Sequence, residues 1–426
     1  MIDKWAQSPA GARICILTPG QVGSNPRVVK EAQALHEAGF DVTVIATRVL
    51  DLVESRDQAV LRKAPWRLQR IDLRPSIWWR ALRAEQMVSR KVFEIFERPQ
   101  LADRGCSAVT PPLIYAAVNR PADLYIAHYP AALPAAAAAA ARHHGARYAY
   151  DAEDFHFGDW PDKPEFEIER RLVRSIEERY LPGCAYVTAA SPGIAGAYAE
   201  TYSIARPKVI LNVFPIAEAP AVATVKGWAE PGPSVYWFSQ TIGPDRGLEC
   251  AVRAIGMADS KPHLYLRGTP VDNFVAALQA IAKIAGADGR LHILAPEAPD
   301  KMERLAACFD VGLVSETGHS RNRDICLTNK LFTFLLAGLP AILSATPAHR
   351  AFAAEADLGD VTYPIDDARA LAKVIDGLLS DPERLAAART NAFKLGRERY
   401  NWDAHKAALV GEVRCAMAWA SDHGST

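Results

Sequence analysis

Short apolar runs alternate with amphipathic helical patterns along most of the chain, and this alternation constrains the fold more than any other feature. The first series predicts a strand at Arg13–Thr18, a helix that begins with Pro26 and stops at Gly39, and a strand at 40–46. Strands that alternate with helices form parallel sheets covered by helices. A second series of the same kind begins at Ser234. We therefore predict an α/β protein of two Rossmann-like domains that face each other across a cleft.

An Ala-, Pro- and Gly-rich stretch without periodicity separates the two series, as expected of a linker. We predict an N-terminal domain at residues 1–215, the linker at 216–233, a C-terminal domain at 234–398 and a closing helix at 399–426. Loops at the carboxyl edges of two such sheets would bind ligands between the domains.

Lys330 is a cation in an unusual place. The apolar run at 310–314 predicts a strand, and Thr328 and Asn329 are good N-caps for a helix that stops at Gly338. Lys330 then lies in the first turn, where unpaired N–H groups and the helix dipole already present positive potential. A bound phosphate would resolve this conflict. The alternative is a solvated lysine on a flexible stem.

Arg27 repeats this feature in the first helix of the chain, just behind the predicted cap at Ser24 and Asn25. A cation in the first turn of each of two helices supports the prediction of a bound anion more strongly than a single such cation would. Gly20 and Gly23 do not complete the GxGxxG pattern, so a dinucleotide site is not predicted.

Acidic side chains cluster just after the strand predicted at 147–150. They are Asp151, Glu153 and Asp154, and His156 follows them. General acid or base catalysis needs such groups close together with separated pKa values. Ordinary solvated turn residues are the alternative interpretation.

Residues 56–98 are the basic part of an otherwise neutral chain, in which 49 Lys and Arg balance 49 Asp and Glu. Arginines are interleaved there with Trp66, Trp78 and Trp79. This composition fits a segment that lies against an anionic membrane surface. It also fits a helical excursion with its tryptophans packed on the sheet and its arginines in water. Binding of nucleic acid is not predicted, because no recognised module surrounds the segment.

The seven cysteines form no CxxC pair, which indicates a reducing compartment rather than disulfides or zinc. The first residues lack the long apolar core of a signal peptide, and no uncharged run reaches the roughly 18 apolar residues of a membrane-spanning helix. We expect a cytoplasmic protein, with the inner face of the cell membrane as a second expected location.

Several segments together resemble the GT-B glycosyltransferases of glycosyltransferase family 4, also called glycosyltransferase group 1. The resemblance spans nearly the whole chain and is carried by residues 24–27 with 30–31, 150–154, 246–249, 329–332, 338–340 and 400–402. It implies that the C-terminal half binds a nucleotide-diphosphate sugar and the N-terminal half an acceptor. It also implies retaining chemistry without a metal or other cofactor, and a last helix that crosses back onto the N-terminal domain.

Site residues follow from the resemblance together with the loop positions. The donor side is expected to comprise Arg246, Gly247, Gly268, Thr328, Asn329, Lys330 and Thr333. The expected catalytic acids are Asp151, Glu153, Asp154 and Glu316. The expected acceptor side comprises Gly23, Asn25, Arg27 and His128.

Some positions depart from the family pattern. Thr241 stands where an arginine is common, and Glu153 stands where a histidine is common. The two glutamates of the family's E-x7-E pattern fall at Ile325 and Thr333. A threonine would hydrogen-bond a ribose hydroxyl more weakly than a carboxylate does. Glu316 or Asp324 is the expected substitute acid.

We expect a glycosyltransferase of the hexosyltransferase type, which moves a sugar from a nucleotide-diphosphate donor to a glycan or polyprenyl-linked acceptor in surface polysaccharide biosynthesis. A nucleotide-sugar epimerase of the same fold is the alternative, and it would act on the donor alone. A catalytically altered scaffold subunit is the third interpretation, suggested by the departures at Thr241, Ile325 and Thr333. A scaffold would bind neither UDP nor GDP.

Overall fold

The structure, a computed structural model, describes residues 11–222 and 232–423. Residues 223–231 of the predicted linker lie outside that range. Contacts within the chain divide it into two compact units. The first unit runs to Ile210 and resumes at Lys406, and the second spans Leu211–His405.

The first unit is built on a sheet of seven parallel strands in the order β3-β2-β1-β4-β5-β6-β7. The strands are β1 (Arg13–Thr18), β2 (Asp41–Arg48), β3 (Arg67–Asp72), β4 (Leu124–His128), β5 (Arg147–Ala152), β6 (Val187–Ala189) and β7 (Lys208–Val209). The helices are α1 (Pro26–Glu37), α2 (Glu54–Leu61), α3 (Ile77–Phe96), α4 (Pro99–Cys106), α5 (Thr110–Val118), α6 (Leu133–Arg142), α7 (Glu167–Tyr180) and α8 (Pro192–Tyr202).

The second unit repeats this plan with six parallel strands in the order β10-β9-β8-β11-β12-β13. The strands are β8 (Ser234–Ile242), β9 (His263–Pro270), β10 (Leu291–Leu294), β11 (Val311–Val314), β12 (Ala341–Ser344) and β13 (Thr362–Tyr363). The helices are α9 (Leu248–Met257), α10 (Phe274–Ile284), α11 (Met302–Ala306), α12 (Arg321–Ile325), α13 (Asn329–Ala337), α14 (Pro347–Glu355), α15 (Ala368–Leu379), α16 (Pro382–Glu398) and, running on into the first unit, α17 (Trp402–His423).

The apolar sequences of the central strands account for their place in the middle of each sheet. β1, β4 and β11 are buried along almost their whole length, as parallel strands covered on both faces must be. The α/β prediction with two Rossmann-like domains is confirmed. The proposed return of the last helix stays a prediction, although Val413 and Ala416 of α17 belong to the apolar core of the first unit.

Residues 56–98 differ from the expectation of a purely helical excursion. They contain the edge strand β3, whose side chains are mostly half-exposed and whose arginines suit an edge that must not pair further. Trp66 is buried in the core, as the helical alternative required of its tryptophans, but Trp78 is exposed. Among the residues that the structure describes, we find no helix long and apolar enough to cross a bilayer.

Candidate active site

Each sheet reverses its winding direction once, and parallel α/β folds bind ligands at the carboxyl ends of the strands on either side of that point. In the first unit the reversal lies between β1 and β4. In the second unit it lies between β8 and β11. The sequence-predicted residues Arg27 and His128 follow the first pair of strands, and Arg246 and Glu316 follow the second pair.

Arg27 lies in the first turn of α1 and forms a buried ion pair with Asp151. Its Nε and Nη2 atoms donate to the two Asp151 carboxylate oxygens at 2.6 and 2.8 Å, and both side chains are only 3% exposed. A third bond runs from Nη1 to the carbonyl oxygen of Ile210 at 2.8 Å. Thr188 donates to the same carboxylate at 2.9 Å. The anion that the sequence required beside Arg27 is therefore present as a protein side chain.

The amides of this helix end are also satisfied. Asn25 is the N-cap, and its Oδ1 accepts hydrogen bonds from the backbone N–H groups of Arg27 and Val28, each at 3.1 Å. Gly23 approaches α2 so closely that a Cβ atom would lie 2.7 Å from the Asp57 nitrogen. Neither the charge nor the amides at this junction need an external anion.

His128 ends β4 inside a group of carboxylates. Its Nε2 lies 2.5 Å from Glu31, and its Nδ1 lies 3.5 Å from Glu153 and 3.6 Å from Asp151. Burial by itself lowers the pKa of the imidazole, but Glu31, Glu153 and Asp151 raise that pKa to about 10. The raised pKa favours the imidazolium form of His128, whose charge offsets part of the negative charge of the three acids.

Burial raises the pKa of Glu31 despite its contact with His128, whereas the pKa values of the other two acids are lowered. Burial raises the pKa of Asp151, yet Arg27 and His128 outweigh it and hold the carboxyl well below its usual range. Glu153 shifts in the same direction because of its contact with His128. Asp154 lies outside this group, and its carbonyl oxygen accepts from the hydroxyl of Tyr198 at 3.2 Å.

One set of side chains has the spacing of a metal site. Ligand atoms of Glu31, His128 and Asp151 lie within 4.8 Å of one another. Both oxygens of Asp151 already bind Arg27, so a guanidinium occupies the place where a metal ion would neutralise the acids. We therefore assign no metal to these residues.

In the second unit, two loops are joined by side-chain hydroxyls. Ser315 Oγ donates to the Arg246 carbonyl oxygen at 2.6 Å, and Thr317 Oγ1 donates to that of Asp245 at 3.2 Å. Gly247 follows with φ of +68°, and a Cβ atom there would lie 3.0 Å from the Cβ of Ser315. Glycine is thus needed both for the conformation and for the close approach of the loops after β8 and β11.

Two cations pair with the carboxylate of Glu316, and a third, Arg246, lies close enough to interact electrostatically with Glu316 and Asp245. Glu316 Oε1 lies 3.3 Å from Lys330 Nζ, and its Oε2 lies 3.6 Å from Arg323 Nη1. Burial raises the pKa of Glu316, but Lys330 and Arg323 outweigh burial and lower it. Burial also lowers the pKa of the Arg246 guanidinium, and the charge of Arg323 lowers it further. Positive charge is therefore in excess beside the loop at 243–247.

The N-terminus of α13 differs from that of α1 because no side chain caps it. Thr328 has the extended backbone of an N-cap but makes no capping hydrogen bond. Its buried Oγ1 atom has no partner within the described part of the chain. The first N–H groups of α13 are thus not satisfied by a side-chain cap, and Lys330 adds a cation beside them. This combination suits an anion with several oxygen atoms.

Gly268 and Thr333 have structural partners that explain their identities. A Cβ atom on Gly268 would lie 2.6 Å from the carbonyl oxygen of Ser239 in the neighbouring strand. Thr333 Oγ1 donates to Glu303 Oε1 at 2.8 Å, and both side chains are buried. The position expected to hold a ribose carboxylate therefore has a carboxylate beside it, supplied by α11. Contact of either residue with a nucleotide stays a prediction.

The structure brings the predicted residues together in two groups, one in each unit. Arg27, His128, Asp151 and Glu153 form the first group, and Arg246, Gly247, Glu316 and Lys330 form the second. Their catalytic, donor and acceptor roles stay predictions. Thr241, which replaces an arginine of the family, accepts a hydrogen bond from Arg246 Nη2 at 3.2 Å.

Sequence reasoning missed Arg323, because the polar loop after β11 gave no sign of the short helix α12 that carries it. It also gave Glu31 no role, although Glu31 lies one helical turn after Arg27 on the same face of α1.

The fold is shared with solved glycosyltransferase structures. HepE from Anabaena, in complex with UDP and glucose, has a TM-score of 0.67 at 15% identity and covers 94% of this chain and 99% of its own. Sucrose-phosphate synthase from Thermosynechococcus elongatus has a TM-score of 0.70 at 14% identity. The match covers 96% of this chain and 100% of the synthase chain. A TarM mutant from S. aureus, in complex with Fondaparinux, alpha-GlcNAc-glycerol and UDP, has a TM-score of 0.66 at 8% identity. The match covers 94% of this chain and 99% of the TarM chain.

The sequence itself supplies the deciding match, because residues 22–212 fit the family model of the glycosyl transferase 4-like domain. This chain carries a glycosyl transferase 4-like domain and has the GT-B fold. The predicted resemblance to family 4 is thereby confirmed, with the family match lying mostly in the first unit. No curated protein matches the glycosyltransferase significantly. The excess of positive charge described above lies in its second unit.

Proposed function

We propose that this glycosyltransferase takes its sugar from a nucleotide-diphosphate donor and binds the diphosphate in the second unit. The observation that carries this proposal is the pairing of both Arg323 and Lys330 with Glu316, with Arg246 nearby, beside the uncapped start of α13. A diphosphate would supply further negative charge and accept hydrogen bonds from the backbone N–H groups that lack a side-chain cap. UDP is the first nucleotide to test, because the HepE and TarM structures contain it.

The chemistry of transfer gives these cations a function beyond binding. When the bond between the sugar and the diphosphate breaks, negative charge grows on the leaving phosphate oxygen. Cations fixed before the reaction stabilise that charge without reorganising. Lys330 is held by Glu316, and the backbone of Arg246 is held by Ser315, so both are positioned in advance. We propose retention of configuration at the sugar, with no metal ion.

The first unit is proposed to bind the acceptor, a glycan or a polyprenyl-linked sugar of surface polysaccharide biosynthesis. Glu153 is the best placed acid for contact with it, because its side chain is 12% exposed whereas those of Asp151 and His128 are at most 3% exposed. Asp151 is better suited to hold Arg27 and His128 in place than to exchange protons. A lipid-linked acceptor also fits the exposed apolar face of α3 and a location at the inner face of the cell membrane.

Calorimetry with UDP and GDP tests the donor proposal. Arg246→Ala and Lys330→Ala should each weaken binding by about 1–3 kcal/mol, the range for a hydrogen bond to a charged group. Arg253→Ala is the matched control, since Arg253 also carries a guanidinium on the second unit but pairs with Asp366 at the surface. Absence of binding to either nucleotide would favour a scaffold subunit.

Incubation with a nucleotide sugar and no acceptor separates transfer from epimerisation. A transferase leaves the sugar stereochemistry of the donor unchanged in this experiment, apart from slow hydrolysis. An epimerase would convert the donor into a second nucleotide sugar. Nuclear magnetic resonance of the sugar protons distinguishes these results, and appearance of the epimer would replace the transferase proposal.

A further inference from the structure

Helix α3 presents a large apolar face to solvent. Its 20 residues, about 30 Å in length, begin at an N-cap in which Ser76 Oγ accepts from the Trp79 amide at 3.1 Å. The exposed large apolar side chains are Ile77 at 86%, Trp78 at 60%, Met87 at 64%, Val88 at 63%, Ile95 at 74% and Phe96 at 63%. Single exposed apolar residues are common on protein surfaces, but a continuous patch on one helix is not.

The exposed residues follow the helical repeat. Ile77, Ala81, Ala84, Val88 and Ile95 fall on one stripe of α3 together with Lys91, and all six are exposed. The opposite face carries the buried side chains Leu82, Ser89 and Phe93. That inner face packs on α4, where Gln86 Nε2 donates to the Cys106 carbonyl oxygen at 3.1 Å. The helix is therefore held by one face and leaves a different apolar face uncovered.

Basic side chains flank the apolar stripe. Arg80 and Arg83 are exposed along one side of it, and Lys91 lies within it between Val88 and Ile95. Lys91 pairs with Glu94, and Arg83 donates to the amide oxygen of Gln86, an uncharged group. Within residues 11–222 and 232–423, neither Arg80 nor Arg83 has a carboxylate partner. These two guanidinium groups are free to meet an external anion.

Three arginines of the basic segment outside α3 already have carboxylate partners. Arg67 binds Asp41, Arg70 binds Glu54 at 3.0 Å, and Arg74 binds Asp72 at 2.7 Å. Trp66 is buried in the core of the first unit. The outer face of α3 is the part of residues 56–98 where large exposed apolar side chains lie beside arginines without a carboxylate partner among the described residues.

We propose that the outer face of α3 docks on an anionic phospholipid bilayer. The helix would lie in the plane of the interface, with Ile77, Val88 and Ile95 among the acyl chains. Trp78 and Phe96 would lie at the level of the headgroups. Arg80 and Arg83 would bind phosphate groups of the lipids. An apolar stripe flanked by basic residues is the pattern of helices that lie on membranes, and the unpaired arginines make an anionic surface the complementary partner.

Sedimentation of the full-length protein with vesicles tests this surface directly. We expect the protein to bind vesicles of phosphatidylcholine with phosphatidylglycerol at least tenfold more tightly than vesicles of phosphatidylcholine alone. Val88→Glu with Ile95→Glu should weaken binding about tenfold or more. Arg80→Glu with Arg83→Glu should weaken binding to the anionic vesicles only, since each basic residue contributes about fivefold there.

Ile284→Glu is the matched control, because Ile284 is 88% exposed on α10 of the other unit. This variant should bind the vesicles as the natural protein does. Vesicle binding needs neither nucleotide nor sugar, so its outcome is independent of the proposed donor. Equal binding to both kinds of vesicle, or unchanged binding of the α3 variants, would overturn the proposal. It would also be overturned if light scattering showed a dimer that the α3 variants convert to monomers without any loss of vesicle binding.

Discussion

Thr333 donates its hydroxyl hydrogen bond to Glu303 at 2.8 Å, and this contact joins α13 to α11 in the interior of the second unit. A glutamate at position 333 is what the family pattern would lead one to expect. In this chain the acid is on the neighbouring helix, and the hydroxyl at 333 is its partner. The apparent loss of a family residue is thus coupled to a change in its surroundings.

Placing the family's glutamate at position 333 should therefore lower the stability of the protein. Thr333→Glu would place a second buried carboxylate against Glu303 and remove the hydroxyl donor, which we expect to cost about 3 kcal/mol or more in stability. Thermal unfolding measures this loss. Combining Thr333→Glu with Glu303→Gln should recover most of it, because only one carboxylate then remains. A Thr333→Glu protein as stable as the natural one would contradict the contact.

The Arg27–Asp151 pair leads to a prediction about the first unit. Removing one partner leaves an unpaired buried charge, so Arg27→Met should destabilise the fold by about 3–5 kcal/mol. Arg27→Met combined with Asp151→Leu should cost less than the single change, since no charge is then left without a partner. Urea unfolding of both variants gives the comparison. Equal losses would mean that the pair is not coupled.

The raised pKa of His128 leads us to predict that the protein becomes less stable at alkaline pH. Its pKa in the folded protein is about 10, above the ordinary 6.5, so the folded state holds the proton more tightly than the unfolded chain. This contribution is complete below pH 6.5 and disappears as the pH rises towards 10. The apparent melting temperature of the natural protein should fall across this window, and that of His128→Gln should fall less. Parallel curves for the two proteins would show that His128 is not charged in the folded state.

Glu316 contributes to stability with the opposite pH dependence to that of His128. Its pKa is lowered by Lys330 and Arg323, so its stabilising contribution is present above the ordinary carboxyl range and is lost as the pH falls below it. Glu316→Gln should destabilise the unliganded protein, because Lys330 and Arg323 are left without their shared carboxylate. UDP should then raise the melting temperature of Glu316→Gln by more than it raises that of the natural protein. A smaller UDP effect in the variant would argue that Glu316 contacts the nucleotide favourably.

Much of the fold could be predicted because the signals are local. The strand at Arg13–Thr18 and the cap at Asn25 follow from hydrophobic patterns and capping chemistry within a few residues. The strand β3 was missed because edge strands are half-exposed and carry charges, which removes the apolar run that marks a central strand. The two-residue strand β13 is too short to leave any such pattern.

The places of the two helix-start cations could be predicted from the sequence, but their ion-pair partners could not. Lys330 and Arg27 were recognised by the same rule, since each is a cation at a helix start. Only contacts distant in sequence distinguish them, because Asp151 lies 124 residues from Arg27 and neutralises it fully. Arg323 adds charge beside Glu316 from a helix of five residues that no periodicity announces. Such pairings depend on how strands are ordered in the sheet, and sequence patterns do not encode that order directly.

The most direct test compares the binding of UDP and uridine by calorimetry in the natural protein and in Arg246→Ala combined with Lys330→Ala. If the cations beside α13 hold the diphosphate, the natural protein should bind UDP far more tightly than uridine, and the double variant should lose most of that difference while its affinity for uridine stays the same. A double variant that keeps the full preference for UDP would contradict the placement of the diphosphate in the second unit.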